Sequence, residues 1–365
     1  VTTTERTAAS YFLPSDEPLG LVFPDGAAAD APALPMPADD VLLRLYRGMV
    51  SGRRFDTQAT ALTKQGRLAV YPSARGQEAC EIGAILALRP QDWLFPTYRD
   101  SMAVVARGVD PVEVLTLLRG DWHCGYDPYG ANVAPQCTPL ATNTLHAVGF
   151  AHAARAKGED TVSLALLGDG ATSEGDTHEA LNFAAVWKAP VVFLVQNNGY
   201  AISVPLSKQT AAPSLAYKGV GYGMPSMLVD GNDAAVVHAA VEQAVARAAA
   251  GEGPTLIEAV TYRIESHTNA DDATRYRERA EVEEWLERDP IARLKRYLTD
   301  HGLLTEQVQQ EIDARAEDEA SALRERMNVD TVLDPAELFE HVYAEPTAAL
   351  RDQASELAAE LEERA

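Results

Sequence analysis

The sequence predicts an α/β fold, a parallel sheet flanked by helices with a helical C-terminal extension. Three observations lead there. Three short apolar runs stand in the middle of the chain: TVSLALL (161–167), VVFLVQ (191–196) and PTLIEAVTYR (254–263). Helical patterns separate them, EGDTHEALNFAAVWK (174–188) and NDAAVVHAAVEQAVARAAA (232–250). After about residue 280 the pattern becomes charged and helical. Strands alternating with helices indicate a parallel sheet, because parallel neighbours need a crossover connection.

Taken in order, residues 1–40 are rich in Ala, Pro and Asp and read as an extended N-terminal arm. A helix is expected from Asp39–Asp40, whose carboxylates suit its positive end. A second is expected over 76–88, followed by a short extended piece ending at Tyr98-Arg99-Asp100. The α/β domain is expected to span 41–280, with a polar loop at 264–278. The remainder, 281–365, reads as a helical extension, most simply a solvated one.

The 365 residues carry 54 acidic and 31 basic side chains, a net charge of −23. Phosphate backbones would be repelled, so no nucleic-acid partner is expected. No run of about 18 apolar residues is present, so no membrane span is expected. Neither is a secretory signal, since a basic stretch followed by an apolar block is missing at the start. The three cysteines, Cys80, Cys124 and Cys137, are odd in number and form no CxxC pair. They fit a reducing cytoplasmic setting and read as small buried side chains.

In a parallel sheet built by right-handed crossovers, the strand carboxyl ends share one edge, and ligands bind there. The loops after the three apolar runs carry Asp169, then Asn197-Asn198, then His267. Between Gly170 and Asn197 lie 26 residues, room for one helix and one return strand. Asp169 supplies a charged oxygen, Asn198 a neutral one, and carbonyls of the Asn198–Tyr200 turn a third. Hard oxygens of this kind suit Mg²⁺, which completes its shell with phosphate oxygens and water. Gly168 and Gly170 permit close backbone approach, and amides opening the next helix can receive a phosphate. The residues thus sketch a magnesium-bound diphosphate.

Either half alone is a weak signal, since GDG and NNG usually mark turns. Their joint placement after buried strands carries the weight. A dinucleotide site is the competing enzyme reading. Yet GDGATSEG spaces its glycines as GxGxxxxG, and an acid stands where the pyrophosphate would approach, which disfavours hydride transfer. A non-catalytic interaction subunit would account for the acidic helical tail but leaves the converging Asp, Asn, Arg and His unexplained.

GDG, 26 residues and NN together resemble the thiamine-diphosphate signature. The whole stretch GDGATSEGDTHEALNFAAVWKAPVVFLVQNNGYAIS (168–203) resembles the alpha subunit of the decarboxylating first component of 2-oxo acid dehydrogenase complexes. FPTYRD (95–100), TPLATN (138–143), VDGND (229–233) and YRIESHTNADDATRYR (262–277) extend the resemblance over roughly 40–345. NNGYAIS, SEGD and TPLAT look closest to the branched-chain enzymes, with pyruvate dehydrogenase alpha subunits as the alternative.

The resemblance implies thiamine diphosphate and Mg²⁺ as cofactors. Asp169 and Asn198 match the metal-ligating side chains, and Tyr200 the residue that lends its carbonyl. Gly170 and Ala171 match the diphosphate-contacting turn. Tyr98, Arg99 and Arg263 match diphosphate-binding positions, where a guanidinium's forked donors suit the anion. Thr138 and Leu140 match positions lining the cofactor, and His267 the catalytic histidine of the active-site loop. It also implies a beta subunit in an α2β2 heterotetramer, because nothing here resembles the pyrimidine-binding module. A lipoylated dihydrolipoyl acyltransferase core and a small 2-oxo acid complete the expected partners.

Departures from the family pattern are few. Glu265-Ser266 precede His267 where Gly-His or Gly-Pro is usual, and Thr268 stands where mitochondrial relatives carry a regulatory phosphoserine. Cys137 and Asn143 replace the Ser and Gln associated with a potassium site in mammalian branched-chain enzymes. Val70, Tyr71 and Thr97 are expected to border the acyl pocket.

Overall fold

The computed structural model describes residues 13–121, 124–330, 332–340 and 342–364; the first twelve residues of the expected arm lie outside these. The chain order begins α1 (Asp39–Lys64), α2 (Glu78–Leu86), β1 (Trp93–Phe95), α3 (Ser101–Ala106), α4 (Pro111–Arg119), α5 (Pro128–Ala131) and α6 (Thr142–Lys157). Then follow β2 (Ser163–Gly168), α7 (Gly175–Trp187), β3 (Val191–Asn197) and a small hairpin, β4 (Tyr200–Ala201) with β5 (Val204–Pro205). After α8 (Tyr217–Gly221) come β6 (Ser226–Asp230), α9 (Ala234–Ala249) and β7 (Thr255–Val260). The helices α10 (Arg279–Leu286), α11 (Pro290–Asp300), α12 (Glu306–Met327), α13 (Glu337–Glu340) and α14 (Ala348–Arg364) close the chain.

Five strands form one parallel sheet in the order β1-β2-β3-β7-β6. The three apolar runs are its central strands, and β1 and β6 flank them. Both faces are buried, so these strands read as continuous apolar runs. Along β3, Val192 and Leu194 pack into one core with α1, α2 and α9. Val191, Phe193 and Val195 pack into the other with α6 and α7. Alternation of side chains across a strand thus fills both layers from one sequence. Among the described residues no helix is long and apolar enough to cross a membrane.

Two regions differ from the simplest sequence reading. The arm is extended, but it is docked. Leu19 bridges to Val229 in parallel, extending the sheet at its exposed β6 edge. The Leu21 and Val22 N–H groups donate to Asp233 Oδ2 at 2.6 and 2.8 Å, while Asp233 Oδ1 caps α9. Nor is the C-terminal part uniformly a solvated tail. Ile312, Ala316, Ala320, Leu323 and Met327 make a buried stripe along α12 that packs against α1. By contrast α14 has no buried residue.

Candidate active site

The register of β2, β3 and β7 sets the level of the site. Gly168 pairs with Gln196, and Gln196 with Ala259. Asp169, Asn197-Asn198 and the Thr261–Arg263 segment therefore leave the sheet side by side. Of these, Asp169, Asn198 and Arg263 border a cavity of about 190 Å³, together with Tyr98, Arg99, Leu140 and His267.

Asp169 is 1% exposed. Its burial raises the carboxyl pKa, opposed by a hydrogen bond from Gln209 Nε2 (2.6 Å) and by the Asn198 peptide N–H. The two asparagines diverge. Asn197 Nδ2 turns inward to Glu258 Oε1 at 2.7 Å, whereas Asn198 lines the cavity. Its Oδ1 accepts from the Tyr200 N–H at 3.3 Å. Gly170 and Ala171 line the same wall. A Cβ at Gly170 would lie 2.7 Å from Ala201 Cβ, so the hairpin can close on this turn only over glycine. The turn is a 3₁₀ segment, Gly170–Ser173, and α7 starts only at Gly175. The backbone cradle expected from the helix start is therefore supplied by the turn.

The opposite wall is cationic. Arg99 is 5% and Arg263 1% exposed. Both guanidiniums reach His267 Nδ1, at 3.1 and 3.2 Å. A guanidinium only donates, so Nδ1 is the acceptor and the imidazole proton is on Nε2. Burial, then Arg99 and Arg263, push the His267 pKa down to about 4, with Asp271 opposing. Arg263 Nη2 donates to Ile202 O at 2.8 Å, but its buried Nε has no hydrogen-bond partner among the described residues. Tyr98 stands edge-on to His267 and beneath the Arg99 guanidinium. The loop is pinned by Arg277, which donates to the carbonyls of Arg263 and Ile264.

Of the expected site residues, the cavity gathers Tyr98, Arg99, Leu140, Asp169, Gly170, Ala171, Asn198, Tyr200, Arg263 and His267. Thr138 is exposed and off its lining. Thr97 borders it, whereas Tyr71 is buried and gives its hydroxyl to Asp56 Oδ1 at 2.9 Å. Glu265 pairs with Arg75 at 2.8 Å. Asn143 Nδ2 ties the carbonyls of Phe95 and Leu166. None of the three cysteines is in a disulfide.

Sequence reasoning passed over Gln209, Ile202, Gln77 and Gln196. A lone amide closing the apolar run VVFLVQ was a legible signal for Gln196, since a buried amide demands partners. Ile202 has φ +56°, a left-handed conformation that a β-branched residue seldom takes. Nothing in its local sequence marks it.

One buried carboxylate, one amide oxygen and two buried guanidiniums thus gather around a glycine turn at the carboxyl edge of an α/β sheet, a donor set that would suit a divalent cation beside a phosphate anion. Among the described residues no group of three His, Cys, Asp or Glu could hold a metal alone. That suits a cation whose remaining ligands come from phosphate and water. The orphaned Arg263 Nε is an unused donor that an anion would satisfy. Residues 46–331 match the family model described as "Dehydrogenase E1 component", and the chain belongs to that family of enzymes. It is 50% identical over 346 residues to the 3-methyl-2-oxobutanoate dehydrogenase subunit alpha of Mycobacterium tuberculosis, covering 94% of each chain. It is 39% identical over 308 residues to the pyruvate dehydrogenase E1 component subunit alpha of Staphylococcus aureus, covering 84% of this chain and 83% of the other.

Proposed function

We propose that this chain is the alpha subunit of a branched-chain 2-oxo acid dehydrogenase, acting with thiamine diphosphate and Mg²⁺ in the cytoplasm. The observation that carries the reading is the convergence of Asp169 and Asn198 on one wall of the cleft and Arg99 and Arg263 on the other. Asp169 and Asn198, with the Tyr200 carbonyl, would hold the cation. Arg99, Arg263 and the Gly170–Ala171 turn would hold the diphosphate, exchanging the His267 Nδ1 contact for charge-assisted bonds to phosphate oxygens. When bound, the cofactor's thiazolium supplies the nucleophilic carbon and the electron sink for decarboxylation.

Once Arg99 and Arg263 turn to phosphate, the His267 imidazole can take up a proton at Nδ1, and the imidazolium Nε2–H would be the proton that this loop offers during acyl transfer to a lipoyl group of the acyltransferase core. Leu140 and Ile202, 40% and 53% exposed at the cleft, suit burial against a beta subunit that completes the site in an α2β2 assembly. His267→Ala is expected to bind the cofactor nearly normally and to lose lipoyl acylation; undiminished acylation refutes the role. The substrate reading follows the greater likeness to the 3-methyl-2-oxobutanoate enzyme, and the pyruvate enzyme's likeness supports the alternative. With the reconstituted pair, kcat/KM should favour 3-methyl-2-oxobutanoate over pyruvate, and the reverse order overturns the substrate assignment. One methylene in an apolar pocket discriminates by only about 1–3 kcal/mol.

A further inference from the structure

Behind Asn198 the cleft wall continues inward as an unbroken run of buried amides. Asn198 Nδ2 donates to Gln77 Oε1 at 3.0 Å, and Gln77 Nε2 donates to Gln196 Oε1 at 3.0 Å. Gln196 Nε2 then donates to Asp100 Oδ1 at 2.6 Å. The other oxygen of Asp100 accepts from the Thr97 N–H (2.6 Å) and hydroxyl (2.7 Å). Asn198, Gln77, Gln196 and Asp100 are 6%, 1%, 2% and 0% exposed.

A carboxamide turned by half a revolution keeps its shape and exchanges its donor for its acceptor. In a buried site its orientation is therefore set by its partners. This run is keyed at both ends. At the inner end, three donors converge on the Asp100 carboxylate, which requires Gln196 to present nitrogen. The oxygen of Gln196 then faces Gln77, the oxygen of Gln77 faces Asn198, and Asn198 spends its nitrogen inward. At the outer end the Tyr200 N–H independently requires oxygen at Asn198 Oδ1. The two ends agree.

Gln77 is itself held firmly. Gly76 has φ +101°, and a Cβ there would lie 2.2 Å from Tyr262 O, so only glycine lets the chain enter at this point. Glu78 accepts from the Gly76 N–H at 2.9 Å and from Arg53 Nε at 2.7 Å. Reversing any one amide would set donor against donor or acceptor against acceptor, the costly arrangement for buried polar groups.

We propose that Gln77, backed by Gln196 and Asp100, is a positioning residue that keeps the Asn198 carbonyl oxygen, and not its amino group, turned toward the cation. The proposal rests on the reading of Asp169 and Asn198 as cation ligands and adds the device that presents one of them. No group in the run needs to change protonation.

The test is a calorimetric titration of Mg²⁺ into the full-length chain reconstituted with its beta subunit, at saturating thiamine diphosphate, with thermal unfolding of the ligand-free assembly alongside. Gln77→Met keeps the volume and removes both hydrogen bonds. It should raise the half-saturating Mg²⁺ concentration about 10–100-fold, the usual effect of losing a residue that orients a ligand, while the unpaired Asn198 Nδ2 and Gln196 Oε1 lower the ligand-free midpoint. Gln77→Glu keeps an acceptor facing Asn198 but, when ionised, sets oxygen against Gln196 Oε1, and should recover part of the affinity. Gln196→Met, one link further in, should shift it in the same direction by less. Asn198→Ala should abolish the Mg²⁺ dependence. If Asn198→Ala does so while Gln77→Met leaves it unchanged, the positioning role is wrong and the ligand assignment stands. Equal losses of Mg²⁺ affinity in Gln77→Met and Gln77→Glu reduce Gln77 to packing and overturn the proposal. If the parent chain shows no Mg²⁺ dependence, the ligand reading fails and the proposal falls with it.

Discussion

Two concavities in this molecule invite comparison. The larger, about 860 Å³, is a groove between α1, α3, α4 and α12, floored by Gly48, Gly52, Met102, Ala316, Ala320 and Leu323. The smaller, about 190 Å³, is the cleft at the sheet edge. Several of the groove's charged groups are held in surface pairs. Arg315 meets Glu319 and Arg326 meets Asp110, exposed pairs of the kind worth about 0–1 kcal/mol. In the cleft, Asp169, Arg99 and Arg263 are buried, and one guanidinium nitrogen has no partner among the described residues. Burying charge without full compensation is costly. Function is therefore sought where a charge is buried and incompletely satisfied, not where the space is largest.

The contrast is most exposed to failure at Asp169. Asp169→Ala should weaken Mg²⁺-dependent thiamine diphosphate binding by at least about 100-fold, more than is usual for a residue that merely orients a ligand. Unaltered affinity by calorimetry would remove the cleft's claim altogether. Arg263→Leu should weaken inorganic pyrophosphate binding about 10–100-fold, since a hydrogen bond to a charged group contributes roughly 1.5–3 kcal/mol; an unchanged dissociation constant assigns the anion elsewhere.

A smaller effect sharpens the electrostatics. His267 titrates at about 4 in the ligand-free chain, below the ordinary imidazole value. Between about pH 4 and 6.5 the native state thus binds fewer protons at this site than the unfolded chain. The contribution of His267 to ligand-free stability therefore rises with pH across that window and is lost as pH falls through it. Pyrophosphate would neutralise Arg99 and Arg263, raise the histidine pKa and draw in a proton on binding. Nuclear magnetic resonance titration of the imidazole checks this; a midpoint unmoved by pyrophosphate contradicts it. The smallest effect is expected in the groove. Ala320→Leu should cost about 1–3 kcal/mol of stability by overpacking and leave cofactor affinity unchanged. A parallel loss of affinity would break the distinction between the two concavities.

Much of the fold was legible because its strands are buried on both faces and its helices carry periodic apolar stripes. The Asp39 start of α1, the three central strands and α7 and α9 all fall within a few residues of where pattern alone put them. The cleft was legible for a related reason. Asp169 and Asn198 each directly follow a strand, so topology had to bring them together. Ile202 sits in the turn of the β4–β5 hairpin and Gln209 follows it, and no local rule dictates the return of Gln209 toward Asp169. Tyr71 was misjudged as pocket-lining because neighbourhood in sequence says nothing of where a buried hydroxyl finds its acceptor.

By itself, then, the order of residues determined which segments pair, which edge of the sheet carries the chemistry, and which side chains have the charge to hold a cation and an anion. These follow from short-range periodicity and from the handedness of crossovers. Only the tertiary structure decided that the arm closes the β6 edge, that α12 belongs to the core, and that Asn198 spends its nitrogen on Gln77. Each depends on partners more than 100 positions away, Leu19 with Val229, α1 with α12 and Asn198 with Gln77. An amide or an apolar stripe is indifferent to its use until packing supplies the group it must satisfy.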